Sequence, residues 1–316
     1  MYQTVLLQNI TEMENNNKAT GHLAMFLSVL FFGLNIPVLK DLMPEWLTGV
    51  DATFFRIVGA TILFWIASLF IKNDRIDKAD RWIILFSGMF GLFFFLYLFN
   101  LGIEYSSPID ISIIMTTPPV IVVIASSIIY KTKISKLKIL GVTISLAGAL
   151  MLILIGHEAG AARSVKGNIY GVLSAISYAF YLISIKKTST KYKPVTLLRW
   201  IFLSSCILAV PLTFTQVESA KIIHSPELEP ALLLLSVILF PTFFSYLLIP
   251  VAIKRIGHEL VAMYQYLIPV VATVAAIVMK LDKLHWDQPV AAAIIILGVY
   301  LTSLANKKEI TTDKRA

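Results

Sequence analysis

Apolar residues in this chain run together instead of alternating with polar ones. Long apolar stretches bounded by charged or turn-forming residues recur at 21–42, 49–71, 81–101, 108–129, 138–155, 167–185, 194–216, 230–253, 259–279 and 288–305. Each comes near the roughly 20 residues a helix needs to cross a hydrocarbon layer about 30 Å thick. Within lipid, backbone polar groups must be paired inside their own segment, so such stretches predict helices. The pattern predicts an all-α membrane protein with ten transmembrane helices, a polar N-terminus over 1–20 and a polar tail over 306–316. An even number of spans puts both termini on one side.

Charge supports this count. Of the 27 Lys and Arg, 19 fall in segments on the side of the termini, six fall on the other side, and Arg56 and Arg199 lie within spans. Short cytoplasmic loops carry the Lys/Arg excess, so both termini are expected in the cytoplasm. This also accounts for the net charge of +8 without nucleic acid as a partner. Only 15% of residues are charged and 57% are hydrophobic, against about 25% charged in soluble domains. The single cysteine, Cys206, permits no intrachain disulfide and no thiolate zinc site. No nucleotide-binding loop and no segment long enough for a soluble domain is present, which argues against ATP-driven transport by this chain alone. The polar start lacks the features of a cleaved signal peptide, and Met13 reads as an alternative start.

The chain repeats. Pro119 and Pro269, and Gly148 and Gly298, are each 150 residues apart. Residues 120–125 and 270–275 match in apolar character at that offset, and Arg56 and Arg199 each sit a few residues into the second helix of their half. Five spans per half is an odd number. The expected architecture is therefore two five-helix repeats, 21–155 and 167–305, of inverted topology, as in many secondary transporters.

Several stretches carry a resemblance: Phe32-Gly33-Leu34-Asn35, Phe54-Phe55-Arg56, the run from Tyr97 to Tyr105, Leu146-Ala147-Gly148-Ala149-Leu150, and the run from Tyr246 to Gly257. Together they resemble the EamA repeat of the drug/metabolite transporter superfamily over about 21–305. The resemblance implies a carrier in the bacterial inner membrane that exports or exchanges amino acids, metabolites or drugs without a cofactor. It leaves a coupling proton as a candidate partner beside the small organic solute and membrane lipid, and it does not name the substrate or the oligomeric state. The family often has a Gly-Glu pair after the fourth and ninth helices. Lys131-Thr132 and Leu281-Asp282 stand there instead.

No catalytic constellation or metal motif is found within a span. An enzyme or solute sensor built on the same bundle is the alternative, and it would need a buried acid/base pair or a signalling domain. Prolines are more informative. Pro37, Pro118, Pro119, Pro250 and Pro269 are expected to kink helices and to free the carbonyls four residues back. Nearby polar side chains, namely Asn35, Thr116, Thr117, Tyr181, Tyr264 and Gln265, are candidates for a solute path, together with Tyr97 and Tyr246. The aromatic residues Phe93–Phe95 and Phe243–Phe244 suggest a neutral, aromatic cavity. The competing reading is that they pack against neighbours or lipid. The small residues Gly141, Ser145, Gly148 and Ala149, and Ala291–Ala293 with Gly298, read as close helix packing.

Four charges at equivalent helices complete the set. Arg56 with Asp110, and Arg199 with Glu259, are expected to pair as alternating outer and inner gates, because ionisable groups inside a membrane usually find partners. The plainer reading makes Asp110 and Glu259 helix-start residues and lets Arg199 snorkel to the interface.

Overall fold

A computed structural model describes the backbone of residues 2–129, 135–155 and 164–313; among these, the side chains of residues 2–17, 257–260 and 305–313 and of some scattered positions are not described. Among the described residues the chain is helical throughout and has no strand. The helices are α1 Tyr2–Leu42, α2 Gly49–Leu69, α3 Lys78–Phe86, α4 Phe94–Tyr105, α5 Pro108–Ile114, α6 Pro118–Ile129 and α7 Lys136–Ile155. They continue as α8 Val165–Lys191, α9 Pro194–Val217, α10 Lys221–His224, α11 Leu228–Val237, α12 Ser245–Tyr264, α13 Ile268–Val278 and α14 Asp287–Asp313. Among the described residues, six helical stretches are long and apolar enough to cross a membrane: Lys18–Leu42, Gly49–Leu69, Lys78–Tyr105, Val165–Ile185, Pro194–Val217 and Leu228–Ile253. Shorter apolar helices cover Pro108–Val122, Gln265–Val278 and Asp287–Thr302.

Local chemistry sets the helix ends. Thr48 and Asp51 form a reciprocal capping box at the start of α2. Ser107 caps α5, its hydroxyl accepting from the Asp110 N–H at 3.1 Å, and Pro108 follows in the first turn. The Lys40 ammonium donates to the carbonyls of Ile103, Glu104 and Ser106 at 2.8–3.0 Å, so its three donors close the C-terminal end of α4.

The prolines divide into two groups. Pro37 lies inside α1 and Pro250 inside α12. Pro118 and Pro119 instead open α6, and Pro269 opens α13. A proline in the first helical turn lacks only an N–H that would have no partner there. These three therefore start helices and do not kink them. The preceding carbonyl of Ile114 is taken by the amide and hydroxyl of Thr117.

Among the described residues two seven-residue π-helices interrupt the bundle, Ser87–Phe93 between α3 and α4 and Ile238–Phe244 between α11 and α12. They start 151 residues apart. The second contains Pro241, which cannot donate to the Val237 carbonyl four residues back. Thr242 Oγ1 donates to that carbonyl instead, at 2.9 Å.

Close contacts fix the register of the helices. A Cβ on Gly21 would meet Ile256, and one on Gly33 would meet Val271 and the Ile268 carbonyl. α1 is therefore antiparallel to the chain up to Ile256 and parallel to it from Ile268. Likewise Gly141 lies against Gly298 and Thr302, and Gly148 against Ala291 and Ile295. α7 and α14 thus run antiparallel through their small-residue stripes, as expected for close-packed membrane helices. α2 packs on α9, and α8 packs on α4 and the first π-helix.

Gly298→Leu is expected to wedge α14 away from the backbone of Gly141 and Ser145 and to destabilise the fold by about 1–3 kcal/mol. Thermal unfolding in detergent checks this, with Leu150→Ala, on the half-exposed outer side of α7, as the near-neutral control.

Candidate solute site

Arg56 is the eighth residue of α2 and is 1% exposed. Its Nε donates to Thr242 Oγ1 at 3.0 Å and its Nη1 to Asn100 Oδ1 at 2.9 Å. Asn100 Nδ2 donates onward to Thr53 Oγ1 at 3.0 Å, and the Thr53 hydroxyl donates to the Gly49 carbonyl. The guanidinium carbon lies 5.8 Å from the centre of the Phe99 ring. One buried cation therefore ties α2 to α4 and to the second π-helix, joining the two halves of the sequence.

Around it lies an aromatic core. Phe64, Phe202 and Phe243 pack together, with ring centres 4.8–5.0 Å apart, and Phe202 and Phe32 contact Tyr246 edge-on. Phe95 meets Tyr178, and Tyr178 stacks on Tyr181. Tyr97 stacks on Phe93 at its margin. Tyr181 and Tyr246 are buried, and Tyr97 and Tyr178 are partly so. Phe93, Phe95 and Phe243 pack against aromatic neighbours in this core, and Phe244 is 41% exposed on the outside of the bundle.

Asn35 is buried in α1, and both atoms of its amide lack a hydrogen-bond partner, as does the Tyr246 hydroxyl. Asn35 borders a crevice of about 240 Å³ with Phe31, Val38, Val237, Phe240 and Pro241. This set draws together Asn35, Arg56, Tyr181 and Tyr246 from the sequence-based candidates.

Others fall elsewhere. The Thr116 and Thr117 hydroxyls donate to the carbonyls of Ile113 and Ile114, local bonds at the break between α5 and α6. The Tyr264 hydroxyl is 2.9 Å from His22 Nδ1, which lies 13 residues, about 20 Å of helix, before Asn35. Gln265 is partly buried in a single 3-10 turn and makes no side-chain hydrogen bond among the described residues.

The expected pair of Arg56 with Asp110 is not formed in this structure. Asp110 is fully buried, accepting from Gln288 Nε2 at 2.9 Å and Asn168 Nδ2 at 3.1 Å, and is not paired with Arg56. Asp110 sits in the first turn of α5, where a carboxylate favours the helix N-terminus and meets amides from α8 and α14. Arg56 points instead toward the hydroxyl made available at the π-helix. Arg199 lies 5.2 Å from the Trp65 ring and 5.5 Å from that of Trp200, two half-exposed indoles, in the manner of an interfacial anchor. The Glu259 side chain and Lys131-Thr132 lie outside the described residues. Asp282 is buried and accepts from the Ile109 and Lys283 amides.

A polar clasp closes the end of the bundle where residues 70–80 meet 191–196. Lys191 contacts Asp77 at 2.5 Å and Asp80 at 2.6 Å, Tyr192 donates to Asp80, and the Lys193 amide donates to Asp74. Hydrogen bonds to Asp77 and Asp80 raise the Lys191 ammonium above its ordinary range, so it remains charged at physiological pH. Reading the sequence did not single out Asn100, Thr242, Asn168, Gln288 or this clasp. The available signal was an amide or hydroxyl residue inside an apolar run, but many such residues only bond locally.

Long apolar helices around a buried polar centre define an integral membrane protein. The model of the EamA-like transporter family matches residues 19–154 and again 165–304. The chain therefore belongs to the EamA-like transporter family and is a transporter, not an enzyme. It is 24% identical to an uncharacterized transporter of Archaeoglobus fulgidus over 89% of this chain and 96% of that one. It is 20% identical to the uncharacterized transporter YetK of Bacillus subtilis over 86% of this chain and 83% of the relative. A protein of known crystal structure shares the fold at a TM-score of 0.60 and 16% identity, over 91% of this chain and 98% of that one.

Exchanging the charges, Arg56→Asp with Asp110→Arg, is expected to restore nothing, because each residue has its own partners. Folded yield in the membrane checks this. A double variant that recovers well beyond the worse single variant would show that the two charges are coupled after all.

Proposed function

We propose that the chain is a secondary carrier that exports or exchanges a small organic solute by alternating access. Ten transmembrane helices form two five-helix repeats of inverted topology in the cell membrane, with both termini cytoplasmic and a proton as candidate coupling ion. The observation that carries this reading is the matched placement of irregular elements. The π-helices start 151 residues apart, and the breaks before Pro119 and Pro269 are 150 apart. The helices that carry the equivalent Gly148 and Gly298 run antiparallel to one another. Equivalent helices of opposite direction support inversion, and irregular helices near the membrane midplane suit a solute site between repeats.

In this reading Asn35, Tyr97, Tyr181 and Tyr246 line the path, and Arg56 anchors it. The clasp of Asp74, Asp77 and Asp80 with residues 191–193 closes the cytoplasmic side. Asp110 with Asn168 and Gln288 closes the outer side. On the outer side these contacts take the place of the Arg56–Asp110 pair expected from sequence.

Two measurements test the proposal. A cytoplasm-dependent reporter is expected to be active after Ala316 and within 186–193, and inactive within 217–229; the reverse pattern contradicts the orientation. Purified protein in liposomes is expected to show counterflow of a solute identified by screening intracellular metabolite pools in overexpressing cells. Binding of that solute without exchange would favour a sensor.

A further inference from the structure

The charge on Arg56 is only partly satisfied by the protein. A guanidinium offers five N–H donors, and two of them are engaged, both with neutral acceptors, Thr242 and Asn100. No carboxylate pairs with Arg56 among the described residues. A buried cation without a counter-ion is costly inside a membrane, and such residues mark solute pathways.

The helix register brings two more unsatisfied groups to the same depth. α1 runs antiparallel to the segment that holds the second π-helix. The Ser245 hydroxyl reaches the Ser28 carbonyl, and Phe32 contacts Tyr246. Three residues further along α1 is Asn35, and four residues back from Tyr246 is Thr242, the partner of Arg56. Each is about one turn away, so Asn35 and Thr242 lie level. The Asn35 crevice is walled by Val237 and Pro241, next to Thr242. The Tyr246 hydroxyl, about one helical turn from Thr242, is buried and without a hydrogen-bond partner.

We infer that Arg56, Asn35 and Tyr246 form a recognition site for the carboxylate of a monoanionic solute with an apolar or aromatic body. A carboxylate supplies the negative charge and up to four lone-pair sites, matching spare N–H groups, an amide and a phenol hydroxyl. A phosphate dianion fits poorly. Lys40, a partly buried cation near the end of α1, spends its donors on three carbonyls at the end of α4 and so offers no second charge. The apolar body is accommodated by Phe32, Phe202 and the stacked Tyr178 and Tyr181.

This inference rests on the carrier reading, and the test separates the two. The full-length protein is purified in detergent and its thermal unfolding is measured with 3-phenylpropionate, 3-phenylpropionamide and 3-phenylpropylamine at equal ionic strength. The acid is expected to raise the midpoint saturably, and the amide and amine to leave it unchanged. Arg56→Gln is expected to weaken the acid's effect about tenfold or more. Tyr246→Phe, which removes one hydroxyl and keeps the ring, is expected to weaken it about fivefold, a loss typical of one hydrogen bond. An equal response to acid and amide, no response to the acid, or an unchanged response in Tyr246→Phe overturns the site. Counterflow of the labelled probes then divides the readings. Exchange of the amide but not the acid overturns the site and leaves the carrier standing. A saturable, Arg56-dependent response to the acid without its exchange leaves the site and overturns the carrier.

Discussion

A guanidinium held in a lipid-embedded bundle has to be given acceptors, and the way this chain supplies them shapes its centre. Arg56 cannot reach water, and its bonds go to Asn100 on α4 and Thr242 on the second π-helix. Thr242 is in place because of Pro241. The proline removes a backbone donor from Val237, the helix widens there, and the Thr242 hydroxyl serves both the Val237 carbonyl and Arg56. A backbone irregularity in one half thus receives a charge from the other. Irregular backbone at membrane depth is tolerated where it is enclosed by protein. Here its buried residues, Pro241 and Thr242, face α1, α2 and the aromatic core.

The rest of the architecture holds two similar halves together without fusing them into one rigid core. α7 and α14 meet through glycine and small side chains, where backbones approach closely and dispersion forces act over many atoms. The centre is instead polar and aromatic. The two ends are closed by hydrogen bonds between segments far apart in sequence: Asp80 with Lys191 and Tyr192 at one end, Asp110 with Asn168 and Gln288 at the other. Polar contacts of this kind can exchange partners with water when an end opens, which a tightly packed apolar seam cannot do.

Much of this was legible in the residues. Apolar run length marks the helices, because lipid leaves the backbone few alternatives. The small-residue stripes at Gly141 and Gly298 read as close helix packing, and the structure sets them against each other. The site was less legible. Periodicity does not reveal which neighbour a polar side chain will meet, so Thr116 and Thr117 resembled path residues although their hydroxyls are spent on carbonyls three residues back. Pro118, Pro119 and Pro269 read as kinks because the runs around them are continuously apolar. The breaks that make them helix starts are set by tertiary packing. Pairing Arg56 with Asp110 followed from charge alone, whereas Arg56 bonds to Asn100 and Thr242, and Asp110 accepts from Asn168 and Gln288.

In the proposed carrier the two halves move against each other, and the clasp at residues 74–80 and 191–193 opens when they do. Cys206 is the single cysteine, so a Cys206→Ser chain provides a clean background for cross-linking. Asp74→Cys with Lys193→Cys places two thiols where the Asp74 carboxylate now accepts from the Lys193 backbone amide at 2.6 Å, a contact that brings the two backbones within a disulfide's Cα separation of about 4.4–6.8 Å. Solute exchange by this variant in liposomes, measured oxidised and then reduced, tests the claim most directly. The account predicts that the disulfide stops exchange and that reduction restores it. Undiminished exchange with the disulfide formed would contradict it.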